Sequence, residues 1–103
     1  MRLLELILEE YLHMVEVLEK KETIKNNRIV IDREYFKKLL EKYPYITFKN
    51  KTKIYKGLNL IIHDKNNYTM PYKDPILKKT VRKVIINYAT YQLVKHYYER
   101  QVE

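Results

Sequence analysis

Residues Lys49 to Lys73, KNKTKIYKGLNLIIHDKNNYTMPYK, decide how this chain folds. The stretch opens with four lysines in eight residues, Lys49, Lys51, Lys53 and Lys56. Ile54, Tyr55, Leu58, Ile61 and Ile62 fit a helical stripe better than strict alternation. We therefore expect a short basic helix over Lys51 to Asn59, with Asn50 as its N-cap. Leu60 to His63 and Tyr68 to Tyr72 then form a hairpin around the polar tip Asp64-Lys65-Asn66-Asn67, since asparagine tolerates the positive backbone angles of tight turns. That is the order of recognition helix and wing in a winged helix-turn-helix. A second arrangement stays open. Gly57 costs a helix interior roughly 1 kcal/mol relative to alanine. Tyr45 to Phe48 is either the turn before the basic helix or a strand pairing with Thr52 to Ile62 in an antiparallel meander.

Working outward, Arg2 to Glu22 carries Leu4, Ile7, Leu8, Tyr11, Met14, Val15 and Leu18 at helical spacing. Leu3, Leu6 and Val17 widen this apolar arc, which reads as a helix shared with a second subunit; the plainer alternative is one helix buried deeply in its own domain. Lys20 to Asn27 is a polar connection. Arg28 to Ile31 is short and β-branched, a strand able to join the hairpin as a third member. Asp32 stands where an N-cap belongs, and a second helix runs from Arg33 to Tyr43, ended by Pro44. Asp74-Pro75 reads as another helix start. From Pro75 to Arg100 there is no breaker, so the last helix spans roughly 39 Å. Val81, Val84, Tyr88, Tyr91 and Tyr98 follow heptad spacing along it, again suiting a dimer. The expected fold is α+β, a winged helix-turn-helix of order α-β-α-α-β-β-α with a long C-terminal helix, dimeric, in one domain over residues 1–103.

Composition narrows the function. With 103 residues the core is modest, and dimerisation is a common way to complete one. There is no cysteine, which removes disulfides and thiolate metal sites and favours a cytoplasmic protein. Aliphatic runs are far shorter than the ~20 residues that span a bilayer, so no membrane role is expected. Net charge is +8, unevenly spread: residues 1–24 sum to −3 and residues 25–103 to +11. A basic body behind an acidic helix suits a polyanionic partner. An A·T-rich coding bias is the other source of so many lysines.

Catalysis finds little footing. The one glycine, Gly57, rules out a glycine-rich phosphate loop. His13, His63 and His96 lack metal-ligand spacing, and a lone helical histidine is ordinarily structural. Six of the thirteen carboxylates fall on the first helix, where a solvated face is the ordinary explanation. Eleven tyrosines invite the thought of a DNA-nicking or recombining nucleophile. The His-x-His cluster or Arg-His-Arg set that such enzymes need is missing, and most of the tyrosines read as core. We expect no enzyme, no cofactor and no metal.

Binding fares better. Lys49, Lys51, Lys53, Lys56 and Asn59 decorate the expected recognition helix; lysines neutralise phosphates, while Asn50, Thr52 and Asn59 can match base edges. Lys65, Asn66, Asn67, Tyr68 and Lys73 lie on the expected wing, where they can reach backbone or an A·T-rich minor groove. Lys78, Lys79, Arg82 and Lys83 add a further basic cluster. Any one lysine alone is ordinarily a solvated charge; their concentration around one helix and hairpin is the signal. The dimer interface falls to Leu3, Leu6, Val17, Val84, Tyr88 and Tyr91.

The element order, the small lysine-rich chain and the segment KTKIYKGLNLIIHDKNNYTMPYK resemble the winged helix-turn-helix accessory proteins of conjugative plasmids. The resemblance spans nearly the whole chain and rests on pattern rather than on a signature motif. It implies a homodimer that binds double-stranded DNA near an origin of transfer, assists a separate relaxase within the relaxosome, and does not nick. A transcriptional repressor would need the same features. A small phage or plasmid inhibitor of a host protein is the reading from another class.

Overall fold

The strand that ties this fold together is one that periodicity assigns to a helix. The computed structural model describes residues 2–41 and 46–102. In chain order these are α1 (Arg2–Lys21), β1 (Arg28–Ile31), α2 (Arg33–Leu40), α3 (Phe48–Gly57), β2 (Ile61–Ile62), β3 (Met70–Asp74), β4 (Lys79–Asn87) and α4 (Tyr88–Val102). This is an α+β arrangement compatible with a winged helix.

β4 replaces the first half of the helix expected from Pro75. Its residues Thr80, Val81, Val84, Ile85 and Ile86 are β-branched and lose less conformational freedom in a strand than in a helix. Alternation then sorts them. Val84 and Ile86 enter the main core, whereas Ile85 is buried on the opposite face between Val30 and Ile62. Asp74 does cap amides, but those of a turn: its Oδ1 accepts from Ile76 N–H at 2.8 Å and Leu77 N–H at 3.0 Å. These backbone bonds hold the Asp74 carboxyl below its ordinary value. The turn closes with Lys78 N–H on the Asp74 carbonyl (2.8 Å) and Lys78 in the left-handed region, φ 55°. α4 is accordingly a helix of 15 residues, about 22 Å long.

The expected hairpin is also rearranged. β2 and β3 do not pair with each other; both run antiparallel to β4. β2 lies against Ile85 and Ile86, and β3 pairs with Lys79 to Lys83. Asp64 to Asn67 is thus part of a loop between two short strands, and the hairpin tip is the Asp74–Lys79 turn. The asparagines with positive φ are Asn26, Asn27 and Asn59, not Asn66 or Asn67. Asn26 and Asn27 make the tight turn between Lys25 and Arg28, from which β1 enters the sheet beside β4, as its β-branched sequence suggested.

The core fills the angle between α1 and the inner sheet face. Ile7, Tyr11, Met14, Val15 and Leu18 of α1 meet Ile29 and Ile31, Phe36 and Leu40, Tyr55, Ile61, and Val84 and Ile86. Tyr11 lies edge-on to Tyr55, with ring centroids 5.8 Å apart, and donates its hydroxyl to the Asn87 carbonyl at 2.7 Å. Such aromatic pairs contribute about 0.5–1.5 kcal/mol beyond their buried area. Burial pushes the Tyr11 hydroxyl pKa up, so it stays a neutral donor. α4 packs along α1, where Glu19 accepts from the hydroxyls of Tyr88 and Tyr91.

Two caps differ from expectation. Asp32 occupies the N-cap position of α2 in extended conformation, but its side chain caps no amide and pairs with Lys83 of β4 instead. α3 begins earlier than expected, capped by Thr47, whose Oγ1 accepts from Asn50 N–H at 3.2 Å. Thr47→Ala is expected to cost about 1 kcal/mol, read as a shift in the urea midpoint at constant m-value. Tyr43, Pro44 and Tyr45, where we expect the second helix to end, lie outside the described residues. No helix among the described residues is long and apolar enough to cross a membrane.

Candidate nucleic-acid interface

α3 presents two chemically different faces because its lysines are not on one side. Lys49, Lys53 and Lys56 share the outward face, with Lys49 and Lys53 exposed and Lys56 half-buried. Lys51 stands roughly 160° away at about 100° per residue, beside Tyr55, and is buried to 1 % exposure.

Lys51 therefore cannot meet a phosphate, contrary to the sequence-based assignment. Its ammonium donates to Glu10 Oε2 of α1 and to the Leu40 carbonyl at the end of α2, both at 2.7 Å. Tyr55 donates to the other Glu10 oxygen at 3.1 Å. Burial pushes the Glu10 carboxyl pKa up; the Lys51 bond and charge, then the Tyr55 bond, pull it partly back. One buried network thereby fixes α3 against both preceding helices and sets which way its outer lysines point.

The outer face of α3 and the loop after β2 enclose a groove of about 350 Å³. Lys49, Lys53 and Lys56 line the helix side, with Phe48 and Thr52, and Asn66, Asn67 and Tyr68 line the loop side. The aromatic floor is tied to the core: Tyr68 stacks on Phe36 at 6.0 Å and meets Phe48 edge-on at 5.4 Å, while Phe36 is itself fully buried. Six nominated residues thus converge although the loop is not the expected wing tip. A channel with cations on one wall and amides on the other can take a phosphodiester strand. The lysines would supply charge and the amides directed hydrogen bonds.

The remaining nominations scatter. Lys65 is exposed in the same loop. Lys73 is exposed on β3 opposite Thr80, on the helix-facing side of the β3–β4 hairpin. Asn59 does not lie on α3, contrary to expectation; it follows that helix with φ 56°, and its carbonyl accepts from the Asn87 side chain at 3.0 Å. Sequence reasoning missed the tip of the β3–β4 hairpin, where Ile76 and Leu77 stand 88 % and 57 % exposed between Lys73 and the Lys78-Lys79 pair. The β-branched run after it was the available signal.

Of the residues assigned to a dimer interface, Val84 and Tyr91 are buried in this chain's own core. Val84 is a strand residue, and the heptad reading that selects it fails with the helix. Tyr88 is half-buried and bonded to Glu19, a bond that raises its hydroxyl pKa. Val17 is half-buried; Leu3 and Leu6 are exposed on α1. α4 instead exposes Leu93 at 72 % and Tyr97 at 60 %, four residues apart on its outer side.

Among the described residues no group of three His, Asp or Glu side chains comes together as a metal site. No protein-family model matches the chain, and no curated protein matches it.

Proposed function

We propose that this protein is a sequence-specific binder of double-stranded DNA, acting through the α3–loop groove and the β3–β4 wing, without catalytic activity. The observation that carries the reading is the groove itself. Lys49, Lys53 and Lys56 line one side of a groove of about 350 Å³, and Asn66 and Asn67 line the other. The burial of Lys51 supports it, because a helix fixed at its inner face holds the outer cations in one register. Lys73, Lys78 and Lys79 on the wing would contact a neighbouring stretch of the duplex.

The protein is further proposed to work as a homodimer. Leu93 and Tyr97 of α4, with Leu3 and Leu6 of α1, supply exposed apolar surface that a second copy would cover. A two-fold dimer would present two grooves to a site with repeated half-sites. A binder of this kind fits a relaxosome accessory role in plasmid conjugation, with a relaxase as its protein partner at the origin of transfer.

Selection from a pool of randomised duplexes tests the proposal. Enrichment of one sequence class over successive rounds supports it, and a pool that stays random contradicts sequence-specific binding. The position of the enriched sequence then assigns the role: beside a nick site it marks a transfer accessory, across a promoter a repressor.

A further inference from the structure

The cluster Lys78-Lys79-Arg82-Lys83 reads as four equivalent cations, but the structure engages two of them: Lys83 pairs with Asp32 of the α2 start, and Arg82 is held by the loop after β2. Its side chain is 35 % exposed and lies on the helix-facing side of β4. Nε donates to Thr69 Oγ1 at 2.8 Å, and Nη2 donates to the Thr69 carbonyl at 2.7 Å. Nη2 also donates to the Asp64 carboxylate. One guanidinium thus holds the loop after β2 at both ends. Between the two anchor points lie Lys65, Asn66, Asn67 and Tyr68, and the last three supply the loop wall of the groove. Thr69 is buried at 3 % exposure, so that end of the clamp is built into the fold.

We propose that Arg82 is a positioning residue for DNA recognition: it sets the loop wall of the groove rather than neutralising a phosphate. The inference rests on the DNA-binding reading above. Lysine cannot replace arginine here, because an ammonium lacks the planar fork that spans Thr69 and Asp64 together. A phosphate ligand, by contrast, tolerates that exchange, since charge is what it contributes.

The test compares wild-type protein, Arg82→Lys and Asp64→Asn on the selected duplex and on random duplex, by fluorescence anisotropy over a salt series. Arg82→Lys is expected to weaken binding to the selected duplex about tenfold while its salt slope stays the same. Binding to random duplex should change less than about twofold, so discrimination falls. Asp64→Asn removes a negative charge beside the groove, which raises affinity for any polyanion on charge alone; the clamp requires lower discrimination instead. Amide hydrogen exchange of the free protein supplies a readout without DNA, and in both variants Lys65 to Thr69 should exchange faster than in wild type. Wild-type discrimination in Arg82→Lys, or unchanged exchange at Lys65 to Thr69, overturns the clamp while leaving DNA binding intact. A wild-type protein that selects no duplex overturns the DNA reading itself, and this role with it.

Discussion

Lys51→Met is expected to destabilise the protein by roughly 3–5 kcal/mol, the cost of leaving a buried charge without its partner. The side chains of Lys51 and Glu10 are 2 % and 0 % exposed, so water cannot take over the lost contacts. The Leu40 carbonyl loses its donor at the same time. The size of this effect comes from the orphaned Glu10, not from the net worth of the pair. A double variant Glu10→Gln/Lys51→Met should therefore recover much of the loss, since it removes the unpaired buried charge. The side-chain amide that replaces the carboxylate would still accept from Tyr55.

The pH dependence of Lys51→Met has a definite sign. Burial raises the folded-state pKa of Glu10, and Lys51 opposes that rise. Without Lys51 the folded value moves further above the unfolded one. A carboxyl whose pKa is raised on folding favours the folded state below its unfolded value, and that contribution is lost as pH rises through the folded value. Lys51→Met should thus regain stability on acidification from neutral pH toward about pH 5, relative to wild type. Chemical denaturation at a series of pH values measures both effects. A loss under about 1 kcal/mol at neutral pH would mean that Lys51 is not buried against Glu10.

The second large effect is on binding. Replacing Lys49, Lys53 and Lys56 together with glutamine should weaken duplex binding on the order of 100-fold at physiological salt. The slope of log K against log salt should fall by about 2.7, with each phosphate contact contributing about 0.9. Stability should change little, because these side chains point outward from α3. Adding Lys51 to the set would confuse the result, since that lysine is structural. Unchanged affinity in a folded triple variant would remove α3 from the interface.

Much of this architecture is legible in the residues, and the failures share one physical cause. α1, β1 and the start of α2 follow from apolar spacing, β-branching and the Asp32 boundary. β4 is hidden because Asp74-Pro75 serves a turn as well as a helix start, and no Gly or Pro interrupts the residues beyond it. The β-branched set Thr80, Val81, Val84, Ile85 and Ile86 is the competing signal. It prevails because three strands find their hydrogen-bond partner in β4. The site shows the same pattern at smaller scale. Lysine content marks the right helix, and the loop asparagines mark its opposite wall. Charge counting cannot tell Lys51 from Lys53, although Lys51 precedes Tyr55 by one helical turn and so shares its buried face. Arg82 cannot be told from Lys83, because the clamp depends on where Thr69 and Asp64 end up in space.

The most direct measurement of the central claim is fluorescence anisotropy of labelled A·T-rich and randomised duplexes, titrated with protein across a salt series with random duplex as competitor. Specific duplex binding in the α3–loop groove predicts a signal that survives the competitor and weakens steeply as salt rises. A signal abolished by competitor, or no binding even at low salt, would contradict it.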